Sequence, residues 1–244
     1  MESTSASRTA AGLSLLFAAD ERPELDVLRA ALEGCQTQAV IVREDDDGGA
    51  ADLIVSGLGF EVDGLAPEAA RPVTMPTDRY GFEGAVELAA LESIRIFPGH
   101  ALSGGVALPP VSKALLTLAA ELAMKLPARA IHWHPADTLI EAREFSRSVL
   151  GWLAGGVFPA PGLIALQPLA DGSVISRGLA HFIAQELSFR AAADPAALKL
   201  AAQVADLLVR SGPLTTFTQW RIQGALINAE PAREAKQILI WRAE

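Results

Sequence analysis

The sequence predicts an α+β fold in which helices pack on a largely antiparallel or mixed sheet. Three observations carry this. Short apolar runs with β-branched centres have strand length, longer segments space their apolar residues at helical intervals, and turn signals such as Asp171-Gly172 join neighbouring runs at hairpin distance.

Leu13 to Ala18 is the first strand run, and Pro23 then sits where a helix's first turn tolerates proline. Leu25, Leu28 and Leu32, with Val27 less regularly, give that helix an apolar stripe, and Gly34 ends it. Gln38 to Arg43 and Asp52 to Ser56 form a hairpin around Glu44 to Gly49. Its acids lack the alternation of a calcium loop and read as a solvated turn. Residues 57–81 are punctuated by Pro67, Pro72 and Pro76 and read as irregular, either an ordered cover or a mobile lid. Residues 82–92 read as a short helix.

Ser93 to Phe97 alternates as a strand. Val111, Leu115, Leu118 and Leu122 fall at i, i+4, i+7 and i+11 of a long helix. Arg129 to His134 is a strand, and a helix from about Glu141 to Leu153 presents Phe145, Val149 and Trp152. Leu163 to Gln167 and Ser173 to Ser176 form a hairpin, a helical turn spans Leu179 to Ile183, and Glu186 to Ala191 is a strand. Asp194 caps a helix that has Pro195 at its first position, Gly212 past its end and Leu198, Ala202, Ala205 and Val209 on its buried face. Thr215 to Ile222 and Gln237 to Trp241 are closing strands, the last of them a sheet edge that would pair across a homodimer.

These elements read as one α+β domain over 1–244. The repeated strand-helix-strand-strand order suggests two merged ferredoxin-like β-α-β-β halves, 10–92 and 93–244, although the residues do not match well enough to establish duplication.

Composition bounds function. The 244 residues include 20 Lys or Arg and 29 Asp or Glu, a formal net charge of −9 that argues against nucleic acid and anionic membranes as partners. Cys35 is the sole cysteine and reads as structural, which excludes an intrachain disulfide and fits the cytoplasm. The apolar run after Arg8 lacks the basic flank of a signal peptide because of Glu2. The 23 uncharged residues from Ser148 to Ala170 are long enough for a bilayer span, but Pro159, Pro161 and Pro168 make them a helix end, a turn and a strand. There is no GxGxxG, no phosphate loop ending in Lys-Ser or Lys-Thr, and no GxSxG elbow.

The long helix, the strand Ala128-Arg129-Ala130-Ile131-His132-Trp133-His134, the segment Thr138-Leu139-Ile140-Glu141 and the run Ser176-Arg177-Gly178-Leu179-Ala180-His181-Phe182-Ile183 leading to Gln185-Glu186-Leu187 come in a distinctive order. Over 111–191, about a third of the chain, this resembles a bacterial family of uncharacterised proteins catalogued only as a domain of unknown function. The resemblance implies no reaction, cofactor or catalytic residue.

Two clusters carry the chemistry. Residues i and i+2 of a strand share a face, so His132 and His134 are neighbours, a metal half-site that Asp137, Glu141, His100 or His181 would complete. The plainer reading, imidazoles bonded to nearby backbone, is preferred. Arg177, His181 and Glu186 form the second cluster, which would join the histidine strand in one pocket if the two pack together, while an ion pair of Glu186 with an arginine is preferred.

The expected function is that of a non-enzymatic cytoplasmic protein binding a small molecule or a protein partner, without a cofactor. The alternative is a hydrolase-like enzyme with one divalent metal on His132 and His134. A third reading is an acidic partner of a basic protein.

Overall fold

The structure is a computed structural model that describes residues 9–190, 195–232 and 236–243. It divides at Gly156/Val157 into two units, and both units are α+β with mixed sheets. This division does not coincide with the expected halves, because a strand of the first unit runs across residues 92 and 93.

The first unit comprises β1 (Leu13–Ala18), α1 (Leu25–Glu33), β2 (Val40–Glu44), β3 (Ala50–Val55), β4 (Leu58–Asp63), β5 (Asp78–Tyr80), β6 (Leu91–Pro98), α2 (Pro109–Lys125), β7 (Ala130–Trp133), β8 (Thr138–Glu141) and α3 (Ala142–Leu153). Its eight strands lie in the order β2-β3-β4-β6-β1-β7-β8-β5. All pairings are antiparallel except that of β5 with β8. The first strands of the two expected halves, β1 and β6, are partners at the centre, and each is flanked by a strand from the opposite half. Strands from both expected halves therefore interleave in this sheet, while the rest of the second half forms a sheet of its own.

Alternation gives this sheet two different faces. Leu13, Leu15, Ile94, Ile96, Ile131 and Trp133 are fully buried on one of them. On that side α2 contacts β3, β4 and β6, and α3 contacts β7 and β8. Helix α2 buries the expected Val111, Leu115, Leu118 and Leu122, and its Ala119, Ala120 and Ala123 as well, since α1 and α3 flank it. Glu121, also buried on α2, accepts from the Thr37 hydroxyl at 2.7 Å and the Gln36 amide at 2.9 Å, holding the exit of α1. In α1, Leu28 and Leu32 are buried, whereas Val27 is half exposed.

The irregular reading of 57–81 is corrected at both ends, where β4 and β5 form. Residues 82–92 hold only a 3₁₀ turn, Leu88–Ala90, before β6 begins. Between β4 and β5 the connection is a fastened cover. Arg22 donates to the carbonyls of Gly64 and Glu68 and pairs with Glu92, the Ala66 amide donates to Pro23, and the Ser93 hydroxyl donates to the Arg71 carbonyl. Val73, Phe82, Val86 and Leu91 then pack over Leu16, Ala130 and Leu139 on the sheet's second face.

The second unit comprises α4 (Ala160–Leu163), β9 (Ala165–Pro168), β10 (Val174–Arg177), α5 (Ala180–Ile183), β11 (Glu186–Arg190), α6 (Pro195–Ser211), β12 (Thr218–Ile222), β13 (Ala225–Pro231) and β14 (Gln237–Arg242). Its sheet order is β12-β13-β14-β11-β10-β9. Strand β14 pairs with β11 on one side and β13 on the other, so the expected edge for dimer pairing is occupied. The edge near the C-terminus is β12, which carries Trp220. β13 was hidden in the sequence by its polar flanks. Helix α6 buries Ala197, Leu200, Ala201, Val204, Ala205 and Leu208, one step from the expected stripe of Leu198, Ala202, Ala205 and Val209. The expected cap Asp194 and strand end Ala191 lie outside the described residues. Among the described residues no helix is long and apolar enough to cross a membrane.

Candidate functional site

The second face of the first sheet carries a row of polar side chains at its centre. Ser14 on β1 is the cross-strand partner of both Arg95 on β6 and His132 on β7, and Arg95 is in turn the partner of Asp63 on β4. Directly paired residues point to the same face, so four adjacent strands set Asp63, Arg95, Ser14 and His132 side by side. A cavity of about 600 Å³ lies over Arg95, Ser14 and His132. Leu16, Ser93, His134 and Asp137 line it too, with Thr9 and Ala10 on one side and Pro72, Val73 and Thr74 of the cover on another.

His132 and His134 share a face, as their spacing predicts, with ring centroids 5.0 Å apart and the rings at 74°. Asp137 joins them through the tight turn from β7 to β8. It has φ +54°, a left-handed conformation that aspartate tolerates better than most residues, and its carboxylate turns back to lie 2.8 Å from His132 Nε2. The carboxylate also accepts from the Thr77 hydroxyl at 2.5 Å, and the Asp137 carbonyl accepts from the Thr77 amide at 3.1 Å. One residue thus orients His132 and fixes the far end of the cover.

His134 is held on both sides. Its Nδ1 lies 2.8 Å from the Thr9 carbonyl and its Nε2 lies 2.9 Å from Ser14 Oγ. Burial lowers its pKa to about 4 against the opposing pull of the Thr9 carbonyl, with His132 and Arg95 adding to the lowering. His134 is therefore neutral at pH 7.

Arg95 donates through Nε to Asp63 at 2.8 Å, and one terminal nitrogen bonds the other carboxylate oxygen. Its pKa is raised by that bond. Its second terminal nitrogen has no hydrogen-bond partner among the described residues.

Asp137, His132 and His134 therefore come together. Arg177, His181 and Glu186 belong to the second unit, where Glu186 has another task. Its carboxylate accepts from the amides of Gly178 (2.8 Å), Leu179 (3.2 Å) and Ala180 (3.1 Å) and from the Ser176 hydroxyl, serving the first turn of α5. The expected ion pair with an arginine is thus replaced by a helix cap. His181 is buried, stands edge-on to Phe182 with centroids 5.3 Å apart, and has its pKa lowered to about 4 by burial. Arg177 is exposed.

Among the described residues no three His, Cys, Asp or Glu side chains are grouped to hold a metal ion. Both His134 nitrogens face protein atoms, and Glu141 accepts from the Glu144 amide as the cap of α3. Among the described residues the divalent-metal alternative on His132 and His134 therefore finds no grouped third ligand.

Ser14, Ser93 and Arg95 were missed as site residues. Their signal was the polar residue at every second position in otherwise apolar strands, which becomes legible only once the register sets β6, β1 and β7 side by side.

No family model matches this chain, and neither a curated protein nor a solved structure does.

Proposed function

We propose that this chain is a small-molecule-binding protein whose ligand occupies the cavity over Ser14, Arg95, His132 and His134. The cavity itself supports this most: about 600 Å³ is within the range of ligand pockets. Its chemistry is mixed as such pockets are, with Leu16, Pro72 and Val73 as apolar walls and a few convergent polar groups. Asp63 balances Arg95 and Asp137 faces His132, which favours a small polar ligand with one hydrogen-bond acceptor for the unpartnered Arg95 nitrogen.

A cytoplasmic location is part of the proposal and rests on the lone Cys35, whose thiol pKa is raised by burial. The net charge of −9 supports a partner other than nucleic acid. Membership of the bacterial family that residues 111–191 resemble is likewise proposed, and it adds no ligand.

The test is a thermal-shift screen of small carboxylates, amides and esters against wild type and Thr74→Trp. Thr74 is exposed on the cover and lines the cavity, so tryptophan fills the space without entering the sheet. A compound at about ten times its Kd adds roughly 1.4 kcal/mol, an upward shift of a few degrees. Hits on wild type that vanish in Thr74→Trp are expected. Hits kept unchanged by Thr74→Trp would place binding elsewhere.

A further inference from the structure

The cavity contains an arrangement that binding alone does not require. Ser14 and His134 are 120 residues apart in sequence, yet Ser14 Oγ and His134 Nε2 are at hydrogen-bond distance. The Thr9 carbonyl can only accept, so the ring proton of His134 sits on Nδ1 and Nε2 carries the lone pair. The Ser14 hydroxyl therefore donates to His134, and its oxygen lone pairs remain for whatever enters the cavity. A hydroxyl whose proton is held by an imidazole, with that imidazole oriented by a third group, has the geometry of an activated nucleophile. Here the third group is a backbone carbonyl. Burial keeps the His134 ring neutral at pH 7, with Nε2 turned to Ser14 Oγ.

The neighbours in the row supply the rest. Arg95, the partner of Ser14 on β6, presents a charged donor that Asp63 leaves unused, suited to an oxygen that becomes negative as the reaction proceeds. Leu16, Pro72 and Val73 give the cavity an apolar wall for a short acyl chain.

We infer that Ser14 is a nucleophile that accepts an acyl group from a small ester or thioester held in this cavity, with His134 as its general base. Ser14 Oγ forms a bond to the acyl carbon while its proton passes to His134 Nε2, and the carbonyl electrons move to the oxygen, where Arg95 donates. Collapse of the tetrahedral adduct breaks the bond to the alcohol or thiol, which leaves with the proton from His134. Water, deprotonated by the same nitrogen, then releases the acid and restores Ser14. The inference rests on the cavity being the ligand site, and its test separates the two.

Wild type, Ser14→Ala and His134→Gln are incubated with a small alkyl fluorophosphonate and with 4-nitrophenyl butyrate, followed by intact-mass and peptide mapping. One fluorophosphonate adduct on Ser14 of wild type is expected. It should be absent from Ser14→Ala, and the labelling rate should fall at least about a hundredfold in His134→Gln. Ester turnover should fall in the same order. Should His134→Gln not fold, the comparison of wild type with Ser14→Ala decides alone. Wild type that is still stabilised by cavity compounds but carries no adduct, or carries it elsewhere, overturns the nucleophile and leaves the binding reading standing. Absence of both stabilisation and adduct overturns both.

Discussion

Trp133→Ala is expected to destabilise the first unit by about 3–5 kcal/mol, the cost of removing a fully buried aromatic side chain from a close-packed interior. Trp133 is fully buried and sits on β7 opposite Leu13, on the face that carries the helices. The histidines on either side of it point the other way, so the substitution leaves their hydrogen-bonding groups in place and empties only the core beneath. Urea unfolding followed by circular dichroism reads the loss. His132→Leu, by contrast, removes a polar group from the cavity floor and should cost less. Equal losses for the two variants would contradict the assignment of the two faces.

Acid should destabilise both units through one histidine each. His134 and His181 have pKa values lowered from 6.5 to about 4, so the unfolded chain takes up their protons first as the pH falls. The stabilisation is complete above pH 6.5 and is lost between pH 6.5 and 4, about 3 kcal/mol for each histidine. Denaturant unfolding at pH 7 and pH 4.5 measures the sum over all groups, and a His181→Leu variant isolates one contribution. Its loss of stability between the two pH values should be smaller than that of wild type by about 2 kcal/mol. An unchanged difference would mean that His181 is not held neutral by burial.

Much of this fold was legible because its elements are locally consistent. The stripe at Val111, Leu115, Leu118 and Leu122, the Pro195 start and Gly212 end of α6, and the Asp171-Gly172 hairpin each state their structure within a few residues. β4 was hidden because glycine at 57 and 59 and acids at 61 and 63 give it the composition of a loop, although Phe60 and Val62 are fully inward. The buried stripe of α6 was shifted because alanines fill both of its candidate faces, so periodicity alone does not choose between them.

The site was legible in part for the same reason. The i, i+2 spacing puts His132 and His134 together, and the turn that follows brings back Asp137, all within six residues. Ser14 and Arg95 reach the same place from other strands, and pairing register is a long-range property. Glu186 was misread because a carboxylate beside a leucine in a strand does not reveal that a helix begins six residues before it and needs an acceptor.

The central claim is that the cavity over the Arg95-Ser14-His132 row is where this protein holds a small molecule. Amide chemical-shift mapping of the isotope-labelled protein with the strongest thermal-shift compound tests it most directly. The account predicts perturbations centred on Ser14, Ser93, Arg95 and His132 and on Pro72 neighbours Val73 and Thr74, lost in Thr74→Trp. Perturbations centred instead on the groove between Phe82 and Glu144, or on the β12 edge, would contradict it.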